Sequence, residues 1–277
     1  NAEMDSLIGE PTGDWLVEWK WDGIRAQLVR RAGAAWLWSR GEELVTERFP
    51  EIVGAVASLP DGIVLDGEVL AWDHALQRPK AFGALQTRIT RSALTARVLR
   101  DAPVVFVAYD LLEHDGVDQR DCTQSVRRAA LESLMDAHAN PHLRLSPRLQ
   151  ASDWDAVGAL RAGARAADAE GLMLKRLSAA YGVGRVKSAP TGDWWKWKVD
   201  PYTVDAVLIY AQRGHGRRAS LYTDFTFAVW SDDGGVSADG EGRRLVPFAK
   251  AYSGLTDDEL AAVDAVVRKT TIEKFGP

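Results

Sequence analysis

Residues 17–27 read Val-Glu-Trp-Lys-Trp-Asp-Gly-Ile-Arg-Ala-Gln, and the reading of the whole chain turns on this string. In an extended strand successive side chains point to opposite faces, which sets Glu18, Lys20 and Asp22 on one side and Trp19 and Trp21 on the other. One lysine then stands between two carboxylates over an aromatic base. Asp22-Gly23 is a turn signal and Ile24 to Arg30 reads as a second strand, so the spacing predicts a hairpin that returns Arg25 toward Lys20. A lysine amine has a reference pKa of about 10.4, and burial or neighbouring cations must lower it before the amine can act as a nucleophile. A salt-bridged surface lysine satisfies Lys-x-Asp-Gly equally well, so the string alone leaves both readings open.

Four further stretches set charge into apolar or aromatic strands. Residues 63–72, Ile-Val-Leu-Asp-Gly-Glu-Val-Leu-Ala-Trp, predict a largely buried strand with Asp66 and Glu68 on one face. Two carboxylates there are costly unless they meet cations or a metal, so they form either a structural ion pair or a ribose or metal contact. Residues 104–112 predict a second buried strand on which Tyr109 is a core residue or a stacking surface. Residues 170–176, Glu-Gly-Leu-Met-Leu-Lys-Arg, give a strand with Glu170 at its start and Lys175 near its end. Being five apart, these two have opposite parity, and a bulge, twist or strand end must intervene to bring both into one pocket. Residues 193–200, Asp-Trp-Trp-Lys-Trp-Lys-Val-Asp, place Lys196 and Lys198 on one face and Trp195 and Trp197 on the other. Neighbouring ammonium groups repel, and an anion such as a triphosphate relieves that repulsion. A solvated lysine edge that discourages strand pairing is the competing reading.

Taken in order, these strings resemble the motifs of the covalent lysine nucleotidyltransferases, and over roughly residues 15–200 the adenylation domain of ATP-dependent DNA ligases. The resemblance implies that Lys20 attacks the α-phosphorus of ATP to form lysyl-AMP, and that Glu18 reads the adenine amino group. It implies Arg25 and Arg40 as ligands of ribose or a DNA phosphate, Tyr109 as the ring that stacks on adenine, and Lys175, Lys196 and Lys198 as phosphate ligands. Glu68 would serve the nucleotide and, with Glu170, a Mg²⁺ (or Mn²⁺) ion; Asp66 would support the fold. The implied partners are ATP and nicked double-stranded DNA, as met in DNA repair, replication and recombination. RNA ligases and capping guanylyltransferases share the lysine signature, but residues 65–73 and 170–176 favour the DNA enzyme. NAD-dependent ligases add a nicotinamide-reading domain and usually a four-cysteine zinc site. A catalytically silent nick- or end-binding module would form no covalent adduct.

The expected fold class is α+β: antiparallel sheets with flanking helices over residues 1–200, then an oligonucleotide-binding (OB-fold) β-barrel over residues 201–277. Residues 1–14 read as a lead-in, a helix is expected from about Thr46, and residues 77–91 read as basic and irregular. Amphipathic helices are predicted over 123–137 and 153–167 with caps at Thr123 and Ser152, neither carrying a site. Asp200-Pro201 is the hinge. After it, β-rich stretches at 204–210, 220–230 and 246–251 alternate with Gly-rich loops at 213–218 and 232–242, and Thr256 with Glu259 forms a capping box for a closing helix. The basic 213–218 loop reads as a phosphate contact or as an ordinary mobile loop.

Composition sets the outer bounds. A length of 277 residues suffices for two cores, and 46% hydrophobic with 26% charged residues is ordinary for a globular protein. No apolar run approaches the roughly 20 residues of a membrane span and nothing resembles a signal peptide, so a cytoplasmic monomer is expected. The one cysteine, Cys122, excludes an intrachain disulfide and a cysteine-built zinc site. A net charge of −5 argues against indiscriminate coating of nucleic acid while permitting a local basic track. The chain lacks an initiator methionine and ends in Glu-Lys-Phe-Gly-Pro, and the Arg- and Lys-bearing motif that closes the family's barrel and the DNA-clamping domain of its larger members are expected to lie outside these 277 residues. A fragment is therefore expected, with weak, salt-dependent binding to nicks and impaired self-adenylation if nothing follows Pro277.

Overall fold

The opening string forms a strand, but the turn after it is not a hairpin. In the computed structural model, which describes residues 9–91, 93–182, 192–231, 244–252 and 254–275, Asp22-Gly23 leads from β1 (Trp15–Trp21) to β2 (Ile24–Arg31) without pairing them. The chain continues through β3 (Ala34–Ser39), α1 (Pro50–Val56), β4 (Ile63–Asp73), β5 (Arg78–Pro79), α2 (Phe82–Ile89) and α3 (Ala96–Asp101). It then forms β6 (Val104–His114), β7 (Val117–Asp118), α4 (Gln124–Ala137), β8 (Leu143–Leu145), α5 (Trp154–Gly163), β9 (Ala169–Arg176) and β10 (Trp194–Lys198). These lie in one of two units into which the chain divides, Asn1–Asp200 and Pro201–Pro277.

Two sheets build the first unit. One has the order β1-β9-β10; the other runs β3-β2-β4-β6-β7, with β5 on β4 and β8 on β6. All pairings are antiparallel except β6 with β8. Gly23 marks the crossing between the sheets. A Cβ there would lie 2.4 Å from the Val69 carbonyl oxygen and 2.6 Å from Leu70 Cδ2, so the glycine serves close approach to β4 and not a two-residue turn.

Alternation along the strands sorts core from cleft. On the first sheet Val17, Leu172 and Leu174 pack with Val157 of α5, joined by Trp195 and Trp197. The second sheet turns Leu28, Leu65, Val69, Phe106 and Ala108 toward Ile52 and Val56 of α1 and Leu131 and Leu134 of α4. A third cluster, of Trp21, Leu70, Trp72, Val105, Val107, Ala164 and Ala169, ties the two sheets together. Burying large apolar side chains contributes about 1.5–3 kcal/mol each, so the three clusters hold the facing sheets firmly.

Several local expectations change. Residues 77–91 contain β5 and α2, and of the four cations there Arg88 is fully buried, its two terminal nitrogens each 2.7 Å from a Glu51 carboxylate oxygen. Asp153, not Ser152, caps α5 by accepting from the Ala156 amide at 2.8 Å, and a 3₁₀ turn at Ala164–Ala167 follows the helix. Thr123 precedes α4 without a capping bond because its hydroxyl engages Ser125. The lead-in is anchored: Glu10 pairs with Arg176 at 2.8 Å and accepts from the Trp15 indole.

The second unit holds a sheet of β11 (Val207–Arg213), β12 (Tyr222–Ser231) and β13 (Arg244–Ala251), packed through Phe225 on Leu260 and Val267 of α6 (Asp257–Thr270). Thr256 and Glu259 form the capping box that the spacing predicts. The basic loop contains a 3₁₀ turn, Gly216–Arg218, and Arg218 pairs with Asp257. The Gly-rich stretch expected at 232–242 lies outside the described residues.

Candidate active site

Two β-bulges build the site. Between β1 and β9 the register moves from Trp19↔Leu172 to Trp21↔Ala169, so Glu170 and Gly171 together oppose Lys20. Unbulged, Glu170 would share the core-facing side of Leu172 and Leu174; the extra residue turns it into the cleft. Gly171 permits this with φ 142°, and a Cβ on it would sit 2.3 Å from the Trp197 carbonyl oxygen. Glu170 thereby bridges two lysines, its Oε1 taking Lys20 Nζ and its Oε2 taking Lys198 Nζ at 2.5 Å. The second bulge lies between Asp66↔Asp110 and Gly67↔Ala108 and leaves Tyr109 as the extra residue of β6. Val104, Phe106 and Ala108 face the helices before it and Leu111 after it, so the bulge also flips the strand's parity.

One end of the cleft is cationic. Lys20, whose side chain is 18% exposed, stands with Lys196, Lys198, Arg25 and Arg40. Lys196 is held below the ordinary lysine range by burial and then by the charges of Lys20, Arg40, Arg25 and Lys198. Glu170 lies below the ordinary carboxylate range because its bonds and charge interactions with Lys198 and Lys20 outweigh its burial. Glu68 goes the other way: burial pushes its carboxyl up to about 8, against the attraction of Lys20 and Arg25 and with the repulsion of Asp66 and Glu170. Among the described residues no three His, Cys, Asp or Glu side chains converge to hold a metal; Glu68 and Glu170 are two carboxylates beside Lys20.

Asp66, fully buried, holds Arg25 in place. It accepts from Arg25 Nε at 3.1 Å and Nη2 at 2.6 Å, and from the Tyr181 hydroxyl at 2.7 Å. The bond to Asp66 raises the Arg25 guanidinium further above its ordinary range, and burial beside Asp66 pushes the Tyr181 phenol up.

The other end of the cleft is closed and polar only where ions pair. Glu18 is 1% exposed, with Oε1 2.8 Å from Arg128 Nη1 and Oε2 2.7 Å from Lys175 Nζ. Lys175 donates to the Tyr109 carbonyl at 3.0 Å and lies 4.7 Å from the centroids of both the Tyr109 and Trp194 rings. The resemblance expects Lys175 among the phosphate ligands; its partners in the structure are Glu18, the Tyr109 carbonyl and two aromatic rings. Lys175 opposes Trp194 while Lys198 opposes Gly171, and four residues of strand separate the two rungs by about 13 Å.

The structure thus gathers Lys20, Arg25, Arg40, Glu68, Glu170, Lys196 and Lys198 in one group and Glu18 with Lys175 in another, and Tyr109 joins them, its ring and carbonyl against Lys175 and its hydroxyl donating to Asp66 at 3.4 Å. Sequence reasoning missed Arg128 and Tyr181. Arg127 and Arg128 lie on the same helical stripe as Gln124, Leu131 and Leu134, and two arginines on an apolar stripe demand buried partners, which was the available signal. Tyr181 lies in irregular chain after β9 and carried none.

A nucleophilic amine under a cationic wall, with an aromatic slot beyond it, suits attack on a polyphosphate attached to a flat base. The comparisons agree. The family model described as ATP dependent DNA ligase domain matches residues 3–198. A probable DNA ligase of Koribacter versatilis is 33% identical over 282 residues, covering 94% of this chain and 46% of the relative. A DNA ligase of Natronomonas pharaonis is 36% identical over 249 residues, 90% of this chain and 42% of the relative. The chain thus spans less than half the length of either. Among solved structures, mycobacterial DNA ligase D complexed with ATP and MES is 26% identical with a TM-score of 0.57, covering 95% of this chain and 74% of that one.

Proposed function

The chain belongs to the ATP-dependent DNA ligase family, and from that membership we propose that it is the catalytic core of an enzyme that seals nicks in double-stranded DNA through AMP carried on Lys20. The observation that carries this reading is the single cleft with Lys20 between Glu170 and the Lys196–Lys198 face at one end and the Glu18–Lys175–Tyr109 slot at the other.

Neutral Lys20 attacks the α-phosphorus of ATP; a nitrogen–phosphorus bond forms, the bond to the β-phosphate oxygen breaks, and pyrophosphate leaves. The 5′-phosphate of a nick then attacks the same phosphorus and takes AMP from Lys20. Last, the 3′-hydroxyl attacks the activated 5′-phosphate, AMP leaves, and the strand is whole. Lys196 and Lys198 neutralise the charge of the triphosphate as the α-phosphorus is attacked. Arg25 and Arg40 hold ribose or the nick phosphate, and Tyr109 stacks on adenine. Adenine offers an amino donor at position 6 and an acceptor at N1, to which Glu18 and Lys175 are complementary as acceptor and donor. Mg²⁺ (or Mn²⁺) needs only one or two protein carboxylates beside substrate phosphates, which Glu68 and Glu170 would supply, and when bound it adds charge neutralisation at the reacting phosphates.

Residues 201–277 are read as the OB-fold barrel that approaches DNA, and the protein acts as a monomer in the cytoplasm, where repair, replication and recombination leave nicks. No helix of the described residues is long and apolar enough to cross a membrane. The test is a nicked duplex with a labelled 5′-phosphate, incubated with ATP and Mg²⁺ and resolved on a denaturing gel. The reading expects an adenylated strand followed by a sealed one, with ATP preferred to GTP. A label that never changes mobility, from a protein that never takes up AMP, overturns it.

A further inference from the structure

We propose that Arg128 of α4 is the positioning residue that sets base selectivity, by fixing Glu18 as a hydrogen-bond acceptor at the purine edge so that a 6-amino purine is taken and a 6-oxo purine refused. The inference rests on reading the cleft as a nucleotide site.

Glu18 alone does not fix its own orientation. A glutamate has three side-chain torsions, and β1 contributes only its Cα position. Arg128 supplies the missing constraint, because every arm of its guanidinium is engaged: Nη1 on Glu18 at 2.8 Å, Nη2 on the Ser146 carbonyl at 2.7 Å, and Nε on Glu132 at 2.6 Å. A planar fork with three anchors cannot rotate to follow the carboxylate, so the carboxylate follows it. Lys175 fixes the other oxygen. Each carboxylate oxygen accepts two hydrogen bonds; Glu18 Oε1 takes one from Arg128 and Oε2, ion-paired with Lys175, takes none among the described residues, so both retain acceptor capacity, and Lys175, donating to the Tyr109 carbonyl, retains donors.

An acceptor beside a donor matches the N6 amino group and N1 of adenine. Guanine reverses both positions, with a carbonyl at C6 and N1–H, and so meets Glu18 acceptor to acceptor and Lys175 donor to donor. The adjacent Arg127 has the parallel task on the stacking side, binding Asp110 at 2.8 and 3.1 Å next to Tyr109. Stacking serves every base, so discrimination falls to the Arg128 arm.

The experiment measures Kd for ATP, GTP and the triphosphate of unsubstituted purine riboside by calorimetry, and kcat and KM for lysyl-nucleotide formation, on wild type, Arg128→Met, Arg128→Lys and Glu18→Gln, with thermal melts as the check on folding. The proposal expects Arg128→Met to lower the ATP-to-GTP preference by about tenfold or more, chiefly through Kd and KM for ATP, and to erase the preference for ATP over the purine riboside nucleotide. Arg128→Lys keeps the charge without the fork and is expected to fall between. A variant that weakens all three nucleotides equally overturns the proposal and leaves Arg128 a structural residue; should Arg128→Met fail to melt cooperatively, an unchanged preference in Arg128→Lys overturns it equally. A preference lost in Glu18→Gln but intact in both Arg128 variants refutes the role of Arg128 alone. Wild type that neither binds nor takes up any purine triphosphate refutes the nucleotide-site reading itself.

Discussion

Gly171→Ala tests whether the bulge at Glu170–Gly171 assembles the site. The added Cβ would stand 2.3 Å from Trp197 O, 2.6 Å from Lys198 Cα and 3.0 Å from Trp197 C, all backbone atoms of β10 that no rotamer change can move. Ordinary contact begins near 3.4 Å, so β10 must retreat by about 1 Å or the bulge must flatten. The φ of 142° adds strain of about 1–3 kcal/mol, and overpacking a further 1–3 kcal/mol, giving about 2–6 kcal/mol in all. A retreat of that size carries Lys196 and Lys198 away from Lys20, and misplacement by about 1 Å costs on the order of 10²-fold in rate. Urea unfolding and the rate of lysyl-AMP formation measure both effects. Gly83→Ala in α2, where nothing lies within 4 Å of the new Cβ, is the control and is expected to stabilise by up to about 1 kcal/mol. A Gly171→Ala protein with the urea midpoint and adenylation rate of wild type would refute the reasoning.

Glu68→Gln bears on pH dependence. Burial pushes the Glu68 carboxyl up to about 8 in the folded protein against 4.5 ordinarily, so between those values the native state binds more protons than the unfolded one. Stability contributed at this position is therefore complete below about 4.5, falls as pH rises through that window and levels off above it. Glu68→Gln should remove this slope, seen as a urea-midpoint advantage over wild type that grows from about pH 5 to about pH 9; a constant difference would contradict it. Tyr181→Phe removes a donor from the fully buried Asp66 and should cost about 1.5–3 kcal/mol in denaturant unfolding while slowing nick sealing more than nucleotide binding. Equal loss in both activities would assign Tyr181 no special link to Arg25.

Much of this cleft could be read in the chain because strand alternation is local. The two-residue period that buries Val17, Leu172 and Leu174 leaves Glu18, Lys20, Met173 and Lys175 on the opposite faces, and the same rule separates Lys196 and Lys198 from Trp195 and Trp197. What escaped is defined only between distant segments. The five-residue spacing of Glu170 and Lys175 calls for a bulge, twist or strand end, but which of these occurs, like the bulge at Tyr109, exists only relative to a partner strand, and Lys20 lies 150 positions from its Glu170 partner. Asp22-Gly23 misled because the sequence signal for a tight turn and that for close backbone approach are the same glycine. Lys175 is expected among the phosphate ligands from the family resemblance of residues 170–176, and its pairing with Glu18, four residues along β9 from Gly171, could not be read from that string. Arg128 needed the knowledge that a carboxylate from β1 waits beneath α4.

The central claim is that the Lys20 amine becomes covalently joined to AMP. Intact-protein mass spectrometry with ATP and Mg²⁺, followed by peptide mapping, compares wild type with Lys20→Ala. The account predicts one added AMP on the peptide containing Lys20 in wild type, reversed by pyrophosphate, and none in Lys20→Ala. An adduct of the same mass that persists in Lys20→Ala would contradict it.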